Sequence, residues 1–117
     1  GRLNTLPHFE RTMQSAQLTH VVKAVVADSP VVAAEWKEPI AMLFIDGGHG
    51  REVARNDYML WTPHVCIGGT LAIHDVFSDP ALGGQAPYEE IYLPAKSSGK
   101  FIDLSNTGSL HILRRVK

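Results

Sequence analysis

The sequence has one cysteine, Cys66, so it can form no intrachain disulfide. That fits a reducing compartment and predicts a cytoplasmic protein. It lacks an apolar run of the roughly 18 residues that a membrane span needs; the uncharged stretch Ile40 to Ile45 is far shorter. No charged n-region followed by an apolar h-region stands at the N-terminus, so no signal peptide is expected. It lacks an excess of either charge. Eleven Lys and Arg against twelve Asp and Glu give no basic field for nucleic acid. It also lacks the motifs HExxH, GxSxG, GxGxxG and GxxxxGK[ST], and any Cys/His zinc spacing. Zinc-protease, nucleophile-elbow, dinucleotide and P-loop chemistries lose their usual signatures.

What remains is an ordinary globular composition, 44% hydrophobic and 20% charged over 117 residues. One domain, 1–117, is the expectation for that length. Asn4 or Thr5 can cap a first helix with Pro7 in its first turn, and Phe9, Met13 and Ala16 share one face of it. His20 to Ala27 is β-branched and nearly all apolar, which predicts a parallel strand buried on both faces. Asp28-Ser29-Pro30 breaks it and opens a short helix over 30–36. Ile40 to Ile45 predicts a second buried strand, followed by the glycine cluster Gly47-Gly48-His49-Gly50 and a helix over 51–61. Ala54, Tyr58, Trp61 and Val65 make its apolar stripe. Ile67-Gly68-Gly69 reads as a turn before a third strand, Thr70 to His74. Residues 78–99 are loop-rich with room for a short helix in 86–93. The runs 100–105 and 109–116 around Asn106-Thr107-Gly108 predict a hairpin. Strands alternating with helices predict an α/β layered sheet: three parallel strands, a C-terminal antiparallel hairpin, and helices packed on the sheet.

Ligands in such sheets bind beyond the carboxyl ends of the strands. Three predicted strand ends carry polar groups: Asp28-Ser29, Asp46 through His49, and His74-Asp75. Parallel strands put all three on one edge. Asp46 and Asp75 offer oxygen ligands for Mg²⁺ or a similar cation. Without metal, His49 or His74 can serve as a general base. A hydrogen-bonded polar cluster that merely orders the loops is the plain alternative. Gly47-Gly48-x-Gly50 follows an acidic strand end and would repel phosphate. His8, His20, His64 and His111 share no spacing, and Cys66 reads as packing.

The stretch Leu43-Phe44-Ile45-Asp46-Gly47-Gly48-His49, then a helix, then Trp61 through Gly68-Gly69 to His74-Asp75, resembles the second half of a class I S-adenosylmethionine-dependent methyltransferase. It is most similar to the small-molecule group that reads FIDGDH, an amphipathic helix, L-x-P-G-G and then HD. Val21 to Ser29 resembles that family's third strand, and Phe101 to Arg115 its terminal hairpin. The likeness covers most of the chain, from strand 3 to strand 7. It implies a partial Rossmann-like sheet with family strand order 3-2-1-4-5-7-6. It implies S-adenosylmethionine as cofactor, with Asp28, Ser29, Asp46 and Gly47 as candidate contacts. It implies Asp46 and Asp75 as ligands of Mg²⁺ or another divalent cation, and His49 or His74 as base or added ligand. The partner implied is a small-molecule acceptor, methylated on oxygen, with neither nucleic acid nor membrane involved.

The sequence also departs from the family. The glycine-rich first motif and the acidic end of strand 2 are absent, and Gly48 stands where relatives often carry a second acid. Cys66-Ile67 replaces the usual proline before Gly68-Gly69. The chain by itself is therefore expected to bind S-adenosylmethionine weakly or not at all and to be inactive. Without strands 1 and 2, strand 3 should close up beside strand 4, or the open edges should pair with a second copy to give a homo-oligomer. A non-catalytic binding domain that kept the half-sheet, and a metal-dependent hydrolase using Asp46, His49, His74 and Asp75, are the competing functions.

Overall fold

The structure is a computed structural model and describes residues 5–46 and 50–117. Its centre is a four-stranded mixed sheet. β1 (Ile40–Ile45) pairs in parallel with β2 (Val65–Ile73). β2 pairs antiparallel with β4 (Leu110–Arg115), and β4 antiparallel with β3 (Phe101–Thr107), giving the spatial order β1-β2-β4-β3. The β1-to-β2 crossover runs through α3 (Arg51–Trp61), long enough to bring the chain back for parallel pairing. The hairpin turns at Gly108, whose φ of +57° suits a residue without a Cβ.

β2 starts earlier than the sequence predicts, because Ile67-Gly68-Gly69 is a bulge inside the strand and not a turn before it. Ile40 faces Val65, yet Met42 faces Thr70, so three extra residues of β2 bulge out between these pairs. Gly68 takes φ +86° there. At Gly69 a Cβ would stand 2.8 Å from the Cys66 carbonyl oxygen and 3.1 Å from that of Ala41. The glycines permit close backbone approach beside β1.

The core joins the sheet to the helices after it. Leu71, Ile73, Ile91 and Leu113 are fully buried, and Ile45, Ala54, Val65, Val76, Ala95 and Phe101 pack in the same cluster. Burying a side chain of this size stabilises the fold by about 1.5–3 kcal/mol. Ala54 lies on the stripe expected for α3, with Tyr58 packed at its margin. The helix expected in 86–93 is present and longer. Its turn Tyr88–Tyr92 is π-helical and runs on into α4 (Leu93–Ser97). Arg51 and Arg55 of α3 reach across to Glu89 and Glu90 of that π turn. At the far end, Arg115 Nη1 donates to the carbonyls of Pro63 (3.0 Å) and Val65 (2.6 Å), fastening β4 to the start of β2.

The N-terminal part corrects the expected architecture. Among the described residues the sheet has two parallel strands, not three. Residues 20–27 form no strand: Val21 and Val22 donate to the Leu18 carbonyl in a turn, and the rest is irregular. Val21, Val25 and Val26 are 68%, 52% and 76% exposed. A strand needs a neighbour for its backbone N–H and C=O groups, and this segment has none among the described residues. Nor does it close up beside β1, whose outer edge is unpaired among the described residues, with Met42 and Phe44 exposed. α1 (Leu6–Ser15) forms where expected, but it buries no residue. α2 (Ser29–Glu35) packs on α3, and Trp36 meets Trp61 edge-on at 5.6 Å. No helix among the described residues is long and apolar enough to cross a membrane.

Candidate active site

β1 and β2 end in register, Ile45 opposite Ile73. The next residues, Asp46 on one side and His74-Asp75 on the other, therefore leave the sheet side by side. The His74 amide continues the ladder by donating to the Ile45 carbonyl at 3.1 Å, and the Val76 amide donates to Ser109 at the hairpin at 2.9 Å. Between these two pinned residues, Asp75 has φ +60°. That left-handed backbone costs a non-glycine residue energy and is held by the bonds on both flanks. It turns the chain sharply at the sheet edge.

The side chains converge. His74 Nδ1 lies 3.0 Å from Asp46 Oδ1 and 3.2 Å from Asp75 Oδ1. One donor atom from each of the three residues falls within 4.8 Å of the others. His74 Nδ1 is buried, and neither approach has the angle of a hydrogen bond. The Phe44 ring stands edge-on to the imidazole at 6.4 Å. Neighbouring ligands of an octahedral cation with bonds of about 2.1 Å stand roughly 3 Å apart, which both contacts match. Two carboxylates and a buried nitrogen with no hydrogen bond thus fit a divalent cation.

The sequence-predicted residues divide into three groups. Asp46, His74 and Asp75 are brought together as expected. Gly47 and His49 lie outside the described residues. Asp28 and Ser29 do not follow a strand, because 20–27 forms none; Asp28 precedes α2 and Ser29 is its first residue. The Ser29 hydroxyl donates to Asp57 Oδ1 at 3.2 Å and accepts the Trp61 indole N–H at 2.6 Å. Burial raises the Asp57 carboxyl above its ordinary value, against the Ser29 hydrogen bond that lowers it. Ser29, Asp57 and Trp61 share with Leu43, Phe44 and Asp46 an open cavity of about 340 Å³.

The sequence reading missed a second cluster at this sheet edge. His111 pairs in register with Ile73, one residue before the His74-Asp75 corner. It meets the Tyr92 ring at 4.7 Å, and Tyr92 stacks on Tyr88 at 5.9 Å. The hairpin was legible, and pairing it antiparallel to the strand before His74 would have brought His111 to this edge.

A family model described as a methyltransferase domain matches residues 3–76, more than half of the chain. The chain belongs to the methyltransferase-domain family. In fold it is similar to the MycE methyltransferase from the mycinamycin biosynthetic pathway, a structure solved with Mg, SAH and mycinamycin VI. The TM-score is 0.52 at 20% identity, over 75% of this chain and 28% of that one. The chain thus spans little more than a quarter of that methyltransferase. The shared feature is the α/β architecture.

Proposed function

We propose that these residues form the acceptor-activating part of an enzyme that moves the sulfonium methyl of S-adenosylmethionine to an oxygen of a small molecule. Mg²⁺ or another divalent cation would be held by Asp46, His74 and Asp75. Membership of the methyltransferase-domain family supports the reaction, and the SAH and Mg in the MycE structure support the two cofactors. The observation that carries the reading is the His74-Asp75 corner: strained backbone, pinned on both flanks, holding an imidazole and a carboxylate against Asp46.

Methyl transfer is an in-line displacement, so the protein's main task is to align acceptor oxygen, methyl carbon and sulfur. A bound divalent cation supplies a Lewis acid that lowers the pKa of an acceptor hydroxyl. Asp46 and Asp75 provide the negative charge that favours such a cation, and His74 presents Nδ1 between them. A second reading rests on the same contacts. With Nδ1 turned to the carboxylates, Nε2 is the nitrogen left to take the acceptor's proton directly. His49 is the other candidate base.

Calorimetric titration with metal tests the first reading. Mn²⁺ should bind more tightly than Mg²⁺, because an imidazole nitrogen suits a softer ion. Asp46→Asn should weaken Mn²⁺ by at least about tenfold. No heat with either ion would favour the base reading, and an Asp46→Ala enzyme that methylates at the normal rate would sink both. Phosphoesterase turnover by the metal-loaded chain would point instead to a hydrolase. S-adenosylmethionine titrated into this chain alone should bind weakly or not at all, since the sequence carries no GxGxxG motif.

A further inference from the structure

A cavity of about 600 Å³ begins one residue beyond the His74-Asp75 corner. Its lining begins at Val76, the residue after Asp75, and crosses to Ser109 and His111 on the hairpin. Phe77, Leu82, Tyr88 and Tyr92 supply the rest of its apolar and ring surface. Ser78 and Asn106 add neutral polar groups, and among the described residues no Asp, Glu, Lys or Arg lines it. The volume is in the range of small-molecule sites.

The walls are built to hold their shape. Gly83 packs so closely on the Phe77 ring that a Cβ would come 2.6 Å from Cε2, and Gln85 Nε2 donates to the Phe77 carbonyl at 2.7 Å. Tyr88 and Tyr92 ride on the π turn, and such turns are frequent at functional sites. The neighbouring Glu89 and Glu90 are tied to Arg51 and Arg55, which fixes that turn against α3. Tyr92 donates to Asp103 Oδ2 at 3.1 Å, which sets the tilt of its ring against His111.

We infer that this cavity seats the body of the methyl acceptor and selects an uncharged molecule carrying a flat apolar ring. The inference rests on the proposed function, since the corner is what makes the neighbouring cavity an acceptor site. The stacked tyrosines and His111 offer ring faces and edges to a planar group. A carboxylate entering the cavity would lose hydration, find no Lys or Arg among the described lining residues, and approach the Asp46 and Asp75 carboxylates at the corner. A hydroxyl on such a ring would emerge at the Asp75 end, where Val76 follows the corner directly.

The test uses the 117-residue chain and two probes, methyl 4-hydroxybenzoate and the 4-hydroxybenzoate anion, followed by NMR of the side-chain ring signals. The ester should shift Tyr88, Tyr92 and His111, and the anion should bind at least about tenfold more weakly. Leu82 is 70% exposed at the mouth, so Leu82→Lys should fold normally and move the preference towards the anion. Equal affinity for the two probes, or ester shifts confined to other residues, would overturn the inference. Mn²⁺ added alone separates it from the proposed function. If Mn²⁺ binds at the corner and the ester leaves the rings unmoved, the cavity assignment fails by itself. If the ester binds selectively and Mn²⁺ does not bind, the metal reading fails and the cavity stands. With both bound, Mn²⁺ should broaden the ring protons of the ester; sharp signals would show that cavity and corner are not one site.

Discussion

Two stretches of this chain are almost equally apolar and meet opposite fates. Ile40–Ile45 becomes β1 and ends in the buried Ile45, while Val21 to Ala27 stays irregular with three valines more than half exposed. The difference is not propensity, since β-branched residues are richer in the second stretch. It is partnership. β1 has β2 beside it, its Ile45 shares the core cluster with Ala54 of α3, and β2 has β4. Among the described residues the 20–27 segment pairs with no strand, so its backbone is left to turns and solvent. Before Ile40 the only buried residue among those described is Ala33. The buried core that stabilises the fold therefore lies in the described residues from 40 onward, and residues 5–39 add little to it.

That contrast breaks most directly by mutation in each half. Leu113 is fully buried where β4 meets β2, and Leu113→Ala should destabilise the chain by about 2–5 kcal/mol. Val26→Ala, at a residue 76% exposed, should change stability by less than about 0.5 kcal/mol. Urea unfolding of the two variants checks the pair. A Val26→Ala loss comparable to that of Leu113→Ala would mean that the valine segment is buried in solution.

The same contrast explains what could be read in advance. β1, α3 and the hairpin follow from local signals: an uncharged run of six, an amphipathic eleven-residue helix, and a Gly108 turn between β-rich runs. The convergence of Asp46 with His74-Asp75 was legible because each directly follows a strand, and strands that pair in parallel end together. A buried parallel strand is marked in sequence only by apolarity, which says nothing of whether a partner exists. Residues 20–27 show this. The bulge in β2 was misread as a turn because glycines mark both. The cavity at His111 was hidden because it depends on how far the hairpin folds back beside β2, which pairing register alone reveals.

Within the better-packed part, the corner sets the proposed function against stability. Asp75→Gly should remove the left-handed strain and, at a backbone glycine can adopt freely, leave the fold as stable or more stable by about 1 kcal/mol. It should also abolish the Mn²⁺ binding expected of the wild-type corner, through loss of a carboxylate ligand. Denaturation and metal titration on one preparation read both effects. A glycine variant that is markedly less stable would show that Asp75 holds the turn by its side-chain contacts, and not in spite of its backbone.

The smallest expected effect lies at the seam between the two halves. Asp57 of α3 faces Ser29 of α2, and burial raises its carboxyl above the ordinary value. The native state therefore holds this proton more tightly than the unfolded chain does. Its contribution to stability is full below the unfolded carboxyl range. It is lost as the pH rises through the raised native value, beyond which a half-buried carboxylate remains a constant cost. Asp57→Asn keeps an oxygen to accept from Ser29 but cannot ionise. Relative to the wild type it should gain a few tenths of a kcal/mol at about pH 7 and lose that advantage near about pH 3.5. Urea midpoints at the two values decide. If the asparagine variant is weaker at neutral pH, the Ser29–Asp57–Trp61 link outweighs the burial of the charge. The seam would then join the N-terminal half to the stable one more firmly than its exposure suggests.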